Sequence, residues 1–343
     1  MIGIGIIGCG AIAKKRYMPV CAGNTSLSKI GFWDRHPDRA EALASTCDGT
    51  VYPTLEAMLA DASIDAVCVC LPLEAHEAVT LKALAQGKHV LLEKPMAPDL
   101  PACLRLAEAQ HRAGRQLMIA FSQRFYSEHL KARQWIRDGK IGRVISFRTT
   151  LSHRGIEYAV FKAGGRDFFD RHPNGPGVTL DVGSHRVDLM RYLLDSEIDA
   201  VLAATPTLDK CLSDGTPIAQ EDHCMTVLKL KNGVVGTLWV SWCNYGMEDN
   251  STVIFGERGV IALQGRGRAA LYRDGVVVDE LEVQPDADEI NGCGVVRSFV
   301  ESINAGESTV ISAWDGVVCC AGIDAILRSG KSGRAELVEL HKS

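Results

Sequence analysis

A lysine, an aspartate and a histidine carry the most specific chemistry that can be read along this chain. Lys94 stands in Glu93-Lys94-Pro95, directly after a short apolar run. At a strand end its ammonium can polarise a substrate oxygen or, if desolvated, lose a proton. Asp181 and His185, in Asp181-Val182-Gly183-Ser184-His185, are four residues apart, so a helix places both on one face, one turn from each other. A carboxylate beside an imidazole stabilises its protonated form and fixes its orientation, which suits a histidine exchanging a proton with a hydroxyl or carbonyl. The plainer alternatives are a surface lysine in a strand-to-loop turn, an N-cap role for Asp181 and a satisfied core histidine at 185. A metal held by His185 and Asp188 would lack a third ligand at matching spacing, and no metal is expected.

A second group of residues has the spacing of a phosphate-binding turn. Gly8-Cys9-Gly10-Ala11-Ile12-Ala13 fits GxGxxA. Gly8 allows a tight turn, Gly10 lets the backbone approach a pyrophosphate, and Ala13 is small enough for close helix–strand packing, while the amides at Ala11 and Ile12 open the helix toward the phosphates. Asp34 follows about two dozen residues on, at the end of the next apolar run, placed to accept hydrogen bonds from an adenosine ribose. A carboxylate there favours NAD by repelling a 2′-phosphate. Arg35 beside it could pair with that phosphate and admit NADP, stack on adenine, or stand as a solvated charge at a helix entry. Two further strand ends face the same edge: Leu71 and Pro72, followed by His76, and Glu93 with Lys94. His76 is either a cofactor-wall histidine or an ordinary helix-start residue.

The elements that must position these residues follow from periodicity. Apolar runs at Ile2–Ile7, Lys29–Trp33, Asp65–Leu71, His89–Leu92 and Gln116–Ala120 alternate with helical patterns at Ala11–Cys21, His36–Ala44, Glu74–Gln86 and Leu100–Ala113. This is the pattern of βαβ units in a doubly wound parallel sheet, complete by residue 122. Beyond it, Met225–Leu230, Val234–Val240, Thr252–Phe255, Val260–Leu263, Ala269–Arg273 and Val276–Val283 read as strands, with hairpin turns at Asn232-Gly233 and Asp274-Gly275. Helices return at Val295–Asn304 and Trp314–Ser329. The expected fold is an N-terminal Rossmann domain over 1–122, and over 123–343 an α+β domain with a large, mostly antiparallel sheet.

Composition narrows the partners. The 343 residues are 46% hydrophobic and carry 42 acidic against 37 basic side chains, a net charge of −5. No basic field exists to hold nucleic acid or an anionic membrane, and a neutral small molecule is the better expectation. The apolar N-terminus precedes its positive charges, Lys14, Lys15 and Arg16, the reverse of a secretory signal. No stretch approaches about eighteen uninterrupted apolar residues, so a membrane-spanning helix is not expected. Twelve cysteines without a CxxC pair read as reduced, buried thiols of a cytoplasmic protein.

Together these motifs resemble the Gfo/Idh/MocA oxidoreductase family, which includes glucose–fructose oxidoreductase and inositol dehydrogenases. The resemblance rests on the glycine turn at 8–13, on Gly87-Lys88-His89-Val90-Leu91-Leu92-Glu93-Lys94-Pro95, on Gly139-Lys140-Ile141-Gly142-Arg143-Val144, on Asp181–His185 and on Ala325–Arg334. It implies hydride transfer between nicotinamide C4 and a secondary alcohol carbon of a sugar or polyol. It also implies that Lys94, Asp181 and His185 surround the reacting hydroxyl: His185 takes the proton, Lys94 holds and polarises the oxygen, and Asp181 orients substrate or histidine. Gln123 and Arg124, in a family-like Arg-Phe segment, are placed against cofactor or substrate, and Arg154, Arg166, Asp167 and His172 fall where substrate loops should be. The family pattern further implies a homodimer or homotetramer through the outer face of the second sheet, around Trp239 and Trp242, although aromatic residues at strand positions are more often core than interface. Two other readings accompany it: a glycosidase that oxidises and eliminates with bound NAD, and a non-catalytic dinucleotide-binding regulator.

Overall fold

Six parallel strands pair in the first part of the chain, five on the apolar runs above and the two-residue β3 beyond them: β1 (Ile2–Ile7), β2 (Leu27–Trp33), β3 (Thr50–Val51), β4 (Ala66–Val69), β5 (His89–Leu92) and β6 (Leu117–Ile119), in the order β3-β2-β1-β4-β5-β6. The computed structural model describes residues 1–160, 168–265 and 267–340. Every residue of β1 and β4 is buried, as a sheet covered by helices on both faces requires. The two strands run side by side from Ile4 opposite Ala66 to Ile7 opposite Val69. The strand order reverses between them, and open α/β sheets bind ligands at the carboxyl edge of such a point.

Local chemistry sets the helix ends. Thr54 and Asp99 cap their helices by accepting the amides of Ala57 at 3.0 Å and Ala102 at 2.8 Å. Gly114 closes Leu100–Ala113 with a φ of +59°, a conformation glycine adopts without a Cβ penalty.

The chain divides into two units. The first contains Met1–Phe125 and Asp286–Val317; the second contains Tyr126–Pro285 and, of the described residues, 318–340. The segment 286–317, which a single cut at residue 122 assigns to the second domain, thus packs with the first. Its helix Gly294–Ala305 buries Val295, Val296 and Phe299 against β1 and β5. The reason is the apolar stripe of that helix, which covers a sheet face the N-terminal chain leaves open.

Among the described residues the second unit holds nine strands: β7 (Val144–Ser152), β8 (Ile198–Ala204), β9 (His223–Leu230), β10 (Val235–Ser241), β11 (Thr252–Gly256), β12 (Gly259–Gly265), β13 (Arg268–Arg273), β14 (Val276–Glu282) and β15 (Glu336–Leu337). Their order is β14-β13-β12-β11-β7-β10-β9-β8-β15. All pairs are antiparallel except β7 with β10. The turns at Asn232-Gly233 and Asp274-Gly275 join antiparallel neighbours as expected. β7, β8 and β15 go beyond the strands the sequence pattern announces, since their side chains lack a clean alternation.

Along β9, Cys224, Thr226, Leu228 and Leu230 are buried while Met225, Val227 and Lys229 face out. Of the two readings for Trp242, interface or core, the structure gives the core. Trp242 is 1% exposed and packs near Phe169, ring centroids 6.0 Å apart. Trp239 does lie on the outward face of β10, opposite Met225.

Candidate active site

The glycine turn is built before its ligand. At Gly8 the φ is +92°, and an added Cβ would stand 2.8 Å from the carbonyl oxygen of Cys70, so only glycine fits. At Gly10 an added Cβ would meet no heavy atom within 4 Å. That open space lies at the N-terminus of the helix running from Ala11 to Cys21, where amide hydrogens and the helix dipole favour an anion. These residues fit a dinucleotide pyrophosphate.

The end of β2 is stitched to the same turn. The Gly8 amide donates to Trp33 O at 2.8 Å, the Cys9 amide to Asp34 Oδ2 at 2.7 Å, and the His36 amide to Asp34 Oδ1 at 2.9 Å. A carboxylate offers about four acceptor sites, so Asp34 keeps capacity for ribose hydroxyls while it fixes the turn. Arg35 is exposed, with Nε 3.2 Å from His36 Nε2. Burial first, and then the charge of Asp34, push the Cys9 thiol up to about 12, which leaves it an inert packing group.

Leu71 and Pro72 follow β4, and Glu93 and Lys94 follow β5. His76 joins the two turns. It is 1% exposed, with Nδ1 2.8 Å from Pro95 O and Nε2 2.9 Å from Leu71 O. Its ring therefore holds the walls of the site together from behind, and a direct contact with the cofactor is not its geometry. Burial lowers its pKa, against the two carbonyls and Glu93, which favour the charged ring.

Glu93 is likewise buried and occupied. Its Oε1 accepts from Arg16 Nη1 at 2.7 Å and from the Tyr17 hydroxyl at 2.9 Å. Arg16 Nε donates to Asn291 O at 2.9 Å. Glu93 thereby ties the Lys94 turn to the phosphate-binding helix, at its π-helical stretch Ala13–Tyr17. Lys94 is half-buried, and both of its sequence neighbours are anchored.

Gln123 and Arg124 are buried in the short turn Ser122–Phe125. Arg124 Nη2 pairs with Asp315 Oδ1 at 2.7 Å. Burial raises the Asp315 carboxyl, but the charge and hydrogen bond of Arg124, with Ser312, outweigh it and leave the pKa below its usual value.

Asp181 and His185 belong to the second unit. Asp181 lies in a π-helical turn, Thr179–Gly183, that runs into the α-helix Ser184–Leu194. Such turns recur at functional sites. Both side chains are half-buried. Asp181 is not the cap of this helix. Glu221 is, accepting the Val178 amide on its carbonyl and the Thr179 amide on Oε1, both at 3.0 Å. Asp188 faces Arg191 Nη1 at 3.7 Å and is 1% exposed, so it is committed to the core rather than to a metal with His185. Arg154 lies over the Tyr158 ring at 5.3 Å, His172 against Phe168 at 4.8 Å, and Arg166 and Asp167 lie outside the described residues.

The two sheets and the dinucleotide turn agree with comparisons to known proteins. Residues 2–121 match the family described as oxidoreductase, NAD-binding Rossmann fold, and residues 129–262 match the GFO/IDH/MocA C-terminal domain. The chain belongs to the GFO/IDH/MocA oxidoreductase family. It is an NAD(P)-dependent oxidoreductase. An inositol 2-dehydrogenase/D-chiro-inositol 3-dehydrogenase of Shouchella clausii (strain KSM-K16) is 29% identical, over 99% of this chain and 94% of that protein. An aldose-aldose oxidoreductase from Caulobacter crescentus, complexed with glycerol, superposes with a TM-score of 0.82 at 24% identity, covering 98% of this chain and 99% of that one. The WlbA dehydrogenase from Bordetella pertussis, in complex with NADH and UDP-GlcNAcA, superposes with a TM-score of 0.81 at 20% identity, covering 99% and 98%.

One further cluster in this GFO/IDH/MocA chain has metal-ligand types. Asp222, His223 and Cys243 bring ligand atoms within 4.8 Å of one another. The Asp222 oxygens already accept the amides of Leu208, Asp209 and Lys210 and the His223 Nδ1 contact at 2.8–2.9 Å. Burial alone would raise its pKa, yet these donors hold it at about 2. The cluster is an anion in a nest of donors, with no lone pairs directed at a cation. Sequence reasoning passed over Arg16, Tyr17, Glu221, Asp222 and Asp315, since each acts on a partner far along the chain and carries no local motif.

Proposed function

We propose that this oxidoreductase is a dehydrogenase of inositol or a related cyclic polyol, with NAD preferred over NADP. The observation that carries the reading is the Lys94 turn at the carboxyl edge of β5, anchored on one side through Glu93 to Arg16 and Tyr17 and on the other through Pro95 O to His76. Residues fixed in this way hold a reacting oxygen in a productive geometry without reorganisation. The name of the Shouchella clausii relative supports the substrate class.

Gly8, Gly10, Ala11, Ile12 and Ala13 hold the pyrophosphate, Asp34 holds the ribose, and Leu71, Pro72, Gln123 and Arg124 line the remainder of the cofactor site. The bound nicotinamide supplies a two-electron acceptor. Lys94 donates a hydrogen bond to the substrate hydroxyl oxygen and stabilises the negative charge that grows on it. His185 takes the hydroxyl proton, and Asp181 orients the imidazole and favours its charged form. The proposal places the enzyme in the cytoplasm, where its free thiols remain reduced. It assembles as a homodimer or homotetramer through the outward face of β8, β9 and β10, where Leu202 lies opposite Val227 and Trp239 opposite Met225. Among the described residues no helix is long and apolar enough to cross a membrane.

The test is to incubate the purified protein with NAD or NADP and a panel of inositols, sugars and glycosides, following reduced cofactor and glycoside cleavage separately. Cofactor reduction by a cyclic polyol is expected. Cleavage of a glycoside with no net cofactor reduction by any polyol would overturn the assignment in favour of a glycosidase.

A further inference from the structure

The second unit contains a cavity of about 300 Å³ lined by Glu157, Tyr158, Phe169, Asp209, Lys210 and Tyr245, among others. Lys210 is 4% exposed and spends its three donors on the Glu157 carboxylate at 2.5 Å, Arg154 O at 2.8 Å and the Tyr245 hydroxyl at 2.9 Å. The Tyr245 hydroxyl donates to Asp209. Lys210 Nζ also sits 4.6 Å from the Tyr245 ring centroid and 5.5 Å from that of Tyr158. The two rings stand edge to face, 6.4 Å apart. Beneath them the buried Asp222 carboxylate pins the backbone amides of Leu208, Asp209 and Lys210. Lys210, Glu157 and Asp222 thus form a buried polar floor, with Asp209 and Tyr245 at its exposed rim, and a floor fixed in this way is the preorganisation a ligand site requires.

The lining indicates what would enter. Glu157 is 7% exposed, and its Oε2 has no hydrogen-bond partner, an acceptor that lacks a donor. The Lys210 ammonium and the Arg154 guanidinium, 5.3 Å from the Tyr158 ring, balance the carboxylates of Glu157 and Asp209, so the site carries no net charge to draw an ionic ligand and suits the hydroxyl groups of a neutral one. Aromatic rings offer apolar faces to the C–H surface of a saturated ring. The volume is at the small end of ligand pockets, about 300–1,000 Å³, enough for one ring.

Position relative to Asp181 follows from two consecutive residues. Glu221 caps the helix that carries Asp181, and Asp222 holds the 208–210 segment at the cavity. Two side-chain lengths and one residue step separate their partners, on the order of 10 Å. We propose that this cavity is a subsite for a neutral sugar or cyclic-polyol ring other than the ring that is oxidised, so that the preferred substrate is a two-ring, glycoside-sized molecule. The inference rests on the dehydrogenase reading above for the identity of the reacting ring.

Calorimetric titration of the NAD-loaded full-length protein with maltose, cellobiose and galactosyl-inositol, each against its component rings, tests it. At least one two-ring probe is expected to bind tenfold or more tightly than either ring alone. In Tyr158→Ala and in Asp209→Asn, each confirmed folded by thermal melting, that ratio should fall to about one. Equal affinity for one-ring and two-ring probes, or a ratio that survives both substitutions, would overturn the subsite. Failure of the dehydrogenase reading looks different: the two-ring advantage persists, and no one-ring or two-ring alcohol reduces the cofactor.

Discussion

The Nδ1 atom of His76 lies 2.8 Å from the carbonyl oxygen of Pro95, with its other ring nitrogen 2.9 Å from that of Leu71. One buried ring thus joins the turn after β4 to the turn that carries Lys94. A neutral imidazole donates to only one of these oxygens at a time, and burial favours the neutral form. Because the folded pKa lies below the ordinary 6.5, the unfolded chain binds more protons in between. The contribution of His76 to stability is then complete above about pH 6.5 and is lost as pH falls through the folded pKa. Urea unfolding from pH 7.5 to 5 should show wild type losing stability over that interval more steeply than His76→Gln. At neutral pH, His76→Ala should cost about 1–3 kcal/mol, the usual consequence of stripping a partner from buried carbonyls.

Lys94→Ala and His185→Ala should each lower kcat by about 10²–10⁴, the range for a positioned proton-transfer or oxygen-binding group. Cofactor affinity, measured by fluorescence titration, should change little. Retained turnover in His185→Ala would move the base elsewhere.

Asp34→Ala removes the acceptor of the Cys9 amide at 2.7 Å together with the proposed ribose contact. Hydrogen bonds to a charged group are worth about 1.5–3 kcal/mol, so KM for NAD should rise roughly 10- to 100-fold. KM for NADP should rise less, since the substitution also removes a charge that repels the 2′-phosphate. The ratio of the two KM values reads this directly.

Breaking the Arg124–Asp315 pair with Arg124→Ala should cost more than the about 1 kcal/mol of an exposed pair and less than the about 3–5 kcal/mol of a fully buried one. The Asp315 pKa is held below its ordinary 3.8, so this stabilisation is present above pH 3.8 and disappears as pH falls through the folded value. Acid titration followed by circular dichroism should show the variant unfolding at a higher pH than wild type.

Met225 is 53% exposed on the outward face of β9. Met225→Glu should shift sedimentation toward the monomer by placing a charge in the proposed subunit contact. An unchanged sedimentation coefficient would remove this face from the assembly.

Much of the first unit was legible because its signals are local. Buried parallel strands read as continuous apolar runs, and a turn that only glycine can make leaves a spaced pair of glycines at 8 and 10. The Glu93-Lys94-Pro95 turn and the four-residue spacing of Asp181 and His185 are also contained within short windows. What these windows could not convey is which partner each polar side chain takes. His76 read equally well as a cofactor wall or a helix start, and Glu93 as a ligand of the cofactor, until their buried partners were in view.

The sequence by itself determined the two kinds of sheet and the dinucleotide turn and singled out Lys94, Asp181 and His185 as candidates, since backbone propensity and side-chain period act over a few residues. Tertiary structure alone decided that 286–317 completes the first unit, that Glu221 rather than Asp181 caps the helix carrying Asp181 and His185, and that Asp222 is a structural anion. Each of these rests on contacts between segments tens to hundreds of residues apart, such as Arg16 with Asn291 and Arg124 with Asp315. Burial makes such contacts obligatory, because an unsatisfied charge or carbonyl in the core is costly. Nothing in the period of either segment announces the other.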